Sequence, residues 1–466
     1  MSTSLRIPLI LFILSFFAYF VFWLGLNITS KNDLLIQSED AIPATYLPLS
    51  LLDGRGFVLT EYYNYFKKQW PNPENKLGKP YYLFNSQNGE YISAFPVIVP
   101  ILAVPFYLPV SILGIHYSSD LIPITARCAS AFFVALSVVF VYLSLVKITR
   151  NRKVSILSVV AYAFGSICWG TTSQSLWQHG INQFLLSAGF YLLLFNKSYS
   201  SILFSLAVFS RPTNIIFAVW AFVYVLIKDR KKAFVFLLWS LPPLLFQFWY
   251  DVTYLGGVLN HPYSVQQFTN WQGRFPEGFL GLLISPSKGL LILSPVFIFA
   301  LTGIYYVWRK NRIPRTSALD YVTPPTQGRG NLSEEISHKS CYKTGLEYKA
   351  LSIALLVFFL VMGKWIHWYG GWSFGYRMVS EALPFLTIFL GIYLSFNFKK
   401  TNVLRRFYFL LIVSILVQVI SLLFDFRYWH ATYDAGPFST SWLWSLKDSM
   451  LVYFARLALI KFGFYP

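Results

Sequence analysis

The chain has 466 residues, of which 56% are hydrophobic and only 12% are charged. Soluble domains carry about 25% charged residues, so this composition excludes a soluble globular protein and indicates an integral membrane protein. The formal net charge is +19 and comes mainly from short basic runs between apolar segments. Such runs are typical of cytoplasmic orientation signals and of contact with anionic lipid, so the charge does not indicate nucleic-acid binding.

Basic runs orient the predicted helices. The first apolar segment, 5–26, is longer than a signal-peptide core and is predicted to be a retained helix that runs outward. The positive-inside rule places in the cytoplasm the basic runs at 147–153, 228–232, 309–315, 399–400 and 405–406. Ten further helices are predicted at 122–146, 154–170, 180–195, 202–210, 214–227, 233–250, 290–308, 349–364, 381–397 and 407–425. The fold class is therefore all-α, a single polytopic transmembrane domain over 1–466 with about eleven helices.

The connections between these helices are unequal in length. Segment 94–116 is apolar, but its prolines remove helix hydrogen bonds that are costly to lose in lipid, so we expect it not to span the membrane. Residues 27–93 form a large outer loop with short amphipathic helices at 45–53 and 57–68 on the membrane surface. Residues 309–348 form a polar cytoplasmic loop, and 426–466 form an outer tail.

Two adjacent carboxylates, Glu39 and Asp40, lie in the first outer loop. A carboxylate in this position can act as a general base that takes a proton from a hydroxyl group. A solvated cap for the helix that follows is the structural alternative, and the sequence does not decide between the two.

Arg211 and Lys288 are cations embedded in apolar sequence at predicted outer helix ends. A lone charge is expensive there, and neither residue has an acidic neighbour within a helical turn. We therefore expect a ligand anion as the counter-charge, held bidentately by the guanidinium and as a point charge by the ammonium. Cations that reach the lipid headgroups are the alternative.

Aromatic and polar side chains accompany these charges. Trp365–Arg377 combines three tryptophans, two tyrosines and three glycines before a terminal arginine, and Trp177–Gly180 opens a helix from the outside. Aromatic faces stack on sugar rings, whereas an interfacial aromatic belt is the alternative that also explains the tryptophans. The four outer histidines include no pair at i, i+4 spacing, so we predict no metal site and no cofactor, with a divalent metal left open; they are His179, His261, His367 and His430.

Taken in chain order, these patches resemble the type-C glycosyltransferases (GT-C fold), in particular the bacterial and archaeal group related to protein mannosyltransferases and aminoarabinose transferases. The patches are 39–40, 89–96, 177–180, 210–214, 285–291 and 368–377, and the chain departs from the pattern in having no D-x-D motif. The resemblance implies a GT-C-like fold and inverting transfer of a sugar from a polyprenyl-phosphate donor to a glycan, lipid or protein acceptor. It also implies a prokaryotic inner-membrane protein whose site faces the periplasm or the outside.

The resemblance assigns roles to residues of this sequence. The catalytic base is Asp40 or Glu39, and the donor phosphate is bound by Arg211, Lys288 and Arg377. Contacts with the sugar or acceptor are expected from Tyr91, Gln178, His179, Trp368, Tyr369 and Trp372. Partners are the lipid-linked sugar, membrane lipid and the acceptor, with no nucleic acid.

Two other functions use related substrates. A lipid-linked oligosaccharide flippase or other transporter needs polar residues along a path across the bilayer, and no ladder of charges of this kind is visible. A polymerase or ligase of the O-antigen type shares the lipid substrate but relies on a large outer loop late in the chain.

The predicted orientation can be measured by cysteine labelling in intact cells. A cysteine placed within 85–89 should react with an impermeant maleimide from outside, whereas one placed within 327–330 should react only after the membrane is permeabilised. The reverse labelling pattern would place the motifs on the cytoplasmic face and would favour a nucleotide-sugar donor.

Overall fold

The chain folds as a bundle of helices with two very short strand pairs. The structure, a computed structural model, describes residues 3–24, 36–70, 80–260, 270–310, 312–314, 341–343 and 346–461. In chain order the helices of the first half are α1 (Thr3–Phe16), α2 (Ile42–Leu52), α3 (Tyr63–Gln69), α4 (Ile98–Ile112), α5 (Leu121–Thr149), α6 (Arg152–Phe164), α7 (Gln178–Leu194), α8 (Ser200–Ser210), α9 (Ile215–Lys228) and α10 (Arg230–Tyr250). Those of the second half are α11 (Glu277–Ile284), α12 (Leu290–Leu293), α13 (Ile298–Arg309), α14 (Leu346–Gly363), α15 (Leu383–Asn397), α16 (Thr401–Leu423), α17 (Phe426–Tyr433) and α18 (Met450–Lys461).

Within the described part of the chain, six helices are long and apolar enough to cross a membrane. They are Leu5–Leu24, Leu121–Thr149, Arg230–Leu255, Leu346–Gly363, Arg377–Asn397 and Thr401–Leu423. Four shorter apolar helices accompany them, at Ile98–Ile112, Ser200–Ser210, Pro212–Lys228 and Met450–Ile460. Length and composition thus confirm an all-α polytopic membrane protein.

Each of the eleven predicted helices has a counterpart in the structure, but the predicted helix 290–308 is broken. It begins as the single turn α12, continues as a 3-10 turn at Pro295–Phe297, and becomes regular only in α13. Pro295 lacks an amide hydrogen and Ser294 adopts non-helical dihedrals (φ −143°, ψ 65°), so the regular hydrogen bonding stops there.

Within the apolar region 94–116, Ile98–Ile112 forms a helix despite its prolines. In α4, Pro105 and Pro109 lie inside a continuous helix of 15 residues. At 1.5 Å per residue this helix is about 22 Å long, shorter than the ~30 Å of a bilayer's apolar core. The expectation that this segment does not span the membrane stays a prediction.

The first outer loop is folded against the bundle. Its helices α2 and α3 overlap the two segments predicted as amphipathic helices, 45–53 and 57–68. Helix α2 packs against α4, where the Tyr107 hydroxyl donates to the carbonyl of Thr45 at 2.7 Å. The sequence did not predict the hairpin that follows, in which β1 (Leu83–Asn85) pairs antiparallel with β2 (Tyr91–Ser93). Within the predicted loop 309–348, β3 (Arg312–Pro314) pairs antiparallel with β4 (Cys341–Lys343), and most of the rest of that loop lies outside the described residues.

The centre of the bundle is formed by α5, α7 and α15. Helix α5 packs against α1, α6 and α7, while α15 packs against α13 and α6. Helix α15 is buried along nearly its whole length, whereas α1, α10 and α16 expose many large apolar side chains, as lipid-facing helices do. The segments before α7 and before α15 are thereby fixed next to each other.

The contact between α13 and α15 requires a glycine. A methyl group at Gly303 would overlap the main-chain carbonyl of Phe389, so the two backbones approach closely at this point. We expect Gly303→Ala to lower the free energy of unfolding by about 1–3 kcal/mol, because α15 must move to relieve the overlap. Thermal unfolding in detergent measures this loss, with Leu301→Ala, at an exposed position of the same helix, as the matched control. An equal stability of both variants would contradict the close packing.

Candidate active site

The acidic pair lies in a 3-10 turn, Glu39–Ala41, that leads directly into α2. Asp40 is held from three sides. Its Oδ2 lies 3.0 Å from Nη2 of Arg377, while the Tyr81 hydroxyl lies 3.4 Å from Oδ1 and the Ser38 hydroxyl donates to the same oxygen. Both carboxylate oxygens of Asp40 are therefore occupied by protein groups.

The two carboxyl groups have opposite electrostatic properties. Burial alone would raise the pKa of Asp40, but the Arg377 charge and the hydroxyl of Ser38 outweigh it and hold that pKa below its ordinary value. Burial raises the pKa of Glu39 to about 7, and the neighbouring Asp40 charge acts in the same direction. No hydrogen bond or ion pair engages the Glu39 carboxyl among the residues that the structure describes. Asp40 is thus a fixed anion, whereas Glu39 can exchange a proton near neutral pH.

Arg377 stands at the end of the aromatic loop 364–377, and the loop holds it in place. Its Nε donates to the carbonyl of Gly370 at 2.7 Å, and its guanidinium lies 4.4 Å from the centre of the Trp177 ring. Gly370 has φ +81°, and a Cβ there would come within 2.9 Å of the arginine side chain, so glycine is needed at this position. The cation is therefore fixed by its own loop, by a tryptophan face and by Asp40.

Arg211 has a protein partner, so the expectation that a ligand supplies its counter-charge is wrong. Its Nη1 lies 2.6 Å from Oε1 of Glu381, and Nη2 donates to the carbonyl of Met378 at 3.2 Å. His179 joins the same carboxylate, with Nδ1 at 2.9 Å. Sequence reasoning missed Glu381, although a lone carboxylate at the start of a long apolar helix is a signal for a buried ion pair.

Lys288 is also engaged by the protein. Its ammonium group donates to the carbonyl of Ser373 and, at 3.3 Å, to that of Gly371, and it lies 3.1 Å from Nε2 of His430. His430 in turn has Nδ1 3.4 Å from Asp434. With only 1% of the residue exposed, Lys288 binds the aromatic loop, which leaves it little capacity to bind a phosphate as the sequence predicted.

The residues predicted to contact a sugar lie in different environments. Trp372 is 47% exposed and stacks on His430 with ring centres 5.6 Å apart, so one aromatic face is available. In contrast, Trp368 and Tyr369 are buried, with Tyr369 packed edge-on against Trp442, and this burial argues against contact with a sugar. Of the other predicted contacts, His179 is buried with Glu381, Gln178 is half-buried at the start of α7, and Tyr91 stacks on Tyr63 in the hairpin region.

The sequence prediction of no metal site, with a divalent metal left open, stays a prediction. Within the described part of the chain, no three or more His, Cys, Asp or Glu side chains form a group that could hold a metal ion. His261 lies outside the described residues. The site as described offers a carboxyl group near neutrality, a fixed carboxylate, an arginine and an exposed aromatic face.

Solved structures of oligosaccharyltransferases are among the known proteins that are similar to this chain. No family model and no curated protein matches the sequence. An oligosaccharyltransferase from Archaeoglobus fulgidus in complex with zinc and sulfate is 12% identical, with a TM-score of 0.40 over 88% of this chain and 57% of that one. The oligosaccharyltransferase AglB from the same organism, with an inhibitory peptide and a dolichol-phosphate, is 10% identical, with a TM-score of 0.44 over 96% of this chain and 60% of that one. This chain therefore spans less than two thirds of the length of either neighbour.

The raised pKa of Glu39 has a consequence for stability. Between its unfolded pKa of about 4.3 and its folded pKa of about 7, the folded state binds the extra proton, so stability falls as the pH rises through this window. We expect the melting temperature of the wild type to fall relative to that of Glu39→Gln from about pH 5 to about pH 8. Glu90→Gln, which removes an exposed carboxylate from the same outer loop, is the control. Parallel curves for wild type and Glu39→Gln would show that Glu39 does not titrate there.

Proposed function

We propose that the chain is a membrane glycosyltransferase of the type-C class that moves a sugar from a polyprenyl-phosphate donor to an acceptor hydroxyl on the outer face. The proposal rests on one observation: the acidic pair Glu39–Asp40 lies next to Arg377, whose Nη2 is 3.0 Å from Oδ2 of Asp40. A base and a phosphate-binding cation are the two groups that inverting transfer from a phosphate donor needs.

Glu39 is the preferred base of this reaction. A general base works best when its pKa lies near the operating pH, and the pKa of Glu39 is about 7. Its carboxylate takes the proton of the acceptor hydroxyl while that oxygen attacks the anomeric carbon. The bond from this carbon to the phosphate oxygen breaks, and the polyprenyl phosphate leaves with the electron pair.

Arg377 is the preferred phosphate ligand. Its Nε donates to the carbonyl of Gly370, and its Nη2 pairs with the carboxylate of Asp40. Nη1 donates no hydrogen bond to any residue that the structure describes. A guanidinium held in this way meets the developing phosphate charge without reorganising, which is how charged groups lower a barrier most effectively. Trp372, in the same aromatic loop, offers its exposed face to a sugar ring.

The placement of buried charge supports an enzyme over a flippase or other transporter. Among the described residues the buried charged side chains are Arg127, Arg211, Asp251, Lys288, Arg377 and Glu381. The predicted topology places all six near outer helix ends. A transporter needs polar groups through the depth of the membrane, and the described helices do not supply such a path.

The remaining features of the proposal rest on the predicted topology and on the resemblance to type-C glycosyltransferases. The donor's lipid tail lies among the lipid-facing helices, and its head reaches the site from the membrane surface. The acceptor is a glycan, a lipid or a protein, and the setting is a prokaryotic inner membrane with the site on the periplasmic or extracellular side.

Substitution of the two carboxylates tests the assignment. In membrane vesicles supplied with radiolabelled polyprenyl-phosphate hexose or pentose, Glu39→Gln should lower turnover by about 10²–10⁴-fold with little change in donor affinity, since only the base is lost. Asp40→Asn should weaken donor binding as well, because Arg377 loses the anion that fixes it. Glu90→Gln, in the same loop, is the control.

Each alternative outcome is informative. If Glu39→Gln keeps full activity and only Asp40→Asn loses turnover, the general base is Asp40 and not Glu39. Full activity of both variants would remove the mechanism.

A further inference from the structure

A second ionic network lies beneath the candidate active site. Glu381 is completely buried, and its carboxylate receives Nη1 of Arg211 at 2.6 Å, Nδ1 of His179 at 2.9 Å and the Ser380 hydroxyl at 3.2 Å. Arg211 is itself 2% exposed. The mechanism proposed above uses none of these groups.

The network joins three separate elements of the bundle. His179 belongs to the first turn of α7, Arg211 follows the end of α8, and Glu381 lies in the 3-10 turn Arg377–Ala382 that precedes α15. Further hydrogen bonds attach the same turn, since Arg211 donates to the carbonyl of Met378 at 3.2 Å and Gln183 of α7 donates to that of Ser380 at 3.1 Å. The turn is thus fixed at three residues, Met378, Ser380 and Glu381.

This turn begins with Arg377. Arg211 holds the carbonyl of Met378, and Met378 directly follows Arg377, the proposed phosphate ligand. Helix α7 contributes on the other side as well, because Trp177, directly before its first turn, lies under the Arg377 guanidinium at 4.4 Å. A shift of the turn relative to α7 would therefore separate Arg377 from both Trp177 and Asp40.

We propose that Glu381, with Arg211 and His179, is a positioning network that sets the Arg377 guanidinium against Asp40. A buried ion pair contributes little net stability compared with apolar residues of similar size, whereas it holds its partners in one geometry. The network does not touch the substrate. This role rests on the proposed function only where it treats Arg377 as the phosphate ligand.

The test measures coupling between Asp40 and Arg377 without any substrate. Melting temperatures in detergent are compared for wild type, Asp40→Asn, Arg377→Met and the double variant, first in the native background and then with Arg211→Met and Glu381→Leu combined. Removing both charges of the network avoids leaving one buried and unpaired. We expect non-additive shifts in the native background, as for residues in contact, and additive shifts once the network is removed.

Controls separate positioning from general damage. Asn182→Leu disturbs the neighbouring α7–α8 contact, where Asn182 donates to Ser210 at 3.1 Å, and should leave the coupling intact. Should the doubly substituted background fail to fold, Arg211→Lys replaces it. This variant keeps the charge but cannot contact the Glu381 carboxylate and the Met378 carbonyl with two separate nitrogens, so it should reduce the coupling. Equal coupling in all backgrounds would overturn the proposal and make the network merely structural.

Activity provides a separate readout. With the donors used above, removal of the network should lower turnover by about 10²-fold, the loss expected when a group at the reacting centre moves by about 1 Å. If no variant, including the wild type, transfers sugar, the proposed function fails, while the thermal cycle still decides whether the network positions Arg377.

Discussion

The ion pair between Asp40 and Arg377 is the interaction on which the rest of the site depends. It connects the turn before α2 to the aromatic loop before α15, two segments that share no secondary structure. Because the pair fixes Asp40 as an anion, the adjacent Glu39 feels both burial and a like charge, and its pKa rises to about 7. The contact thus fixes the cation, and the charge of Asp40 adds to the burial that brings the Glu39 carboxyl group near neutrality.

The glycines and cations around Arg377 serve this contact. Gly370, Gly371 and Gly375 all have positive φ, which lets the aromatic loop fold back on itself and present carbonyl groups inward. Lys288 and Arg377 donate to those carbonyls. Lys288 and Arg377 look from the sequence like substrate ligands. In the structure they also hold the aromatic loop, which has no regular secondary structure, in one conformation.

The helices could be predicted from sequence, because apolar length and basic runs report directly on membrane insertion, and each of the eleven predicted helices is present. The break before Pro295 was missed because the apolar run continues through it.

In the candidate site, the acidic pair and Arg377 were predicted from the sequence. The partner of Arg211 was not, because Glu381 lies far away in sequence and only the packing of α7 against the turn before α15 brings them together. The burial of Trp368 and Tyr369 likewise depends on the late segment that contains Trp442.

The distance in sequence between the partners also bears on biogenesis. During synthesis Arg211 leaves the ribosome long before Glu381. In the predicted topology its charge therefore crosses the membrane without the carboxylate that later neutralises it. The hairpin formed by α8 and α9 therefore gains its full stability only when α15 inserts. Asp40 likewise lacks its ion-pair partner until Arg377 has been synthesised. A nascent chain that ends before Arg377 therefore contains the acidic pair but not the cation of the site.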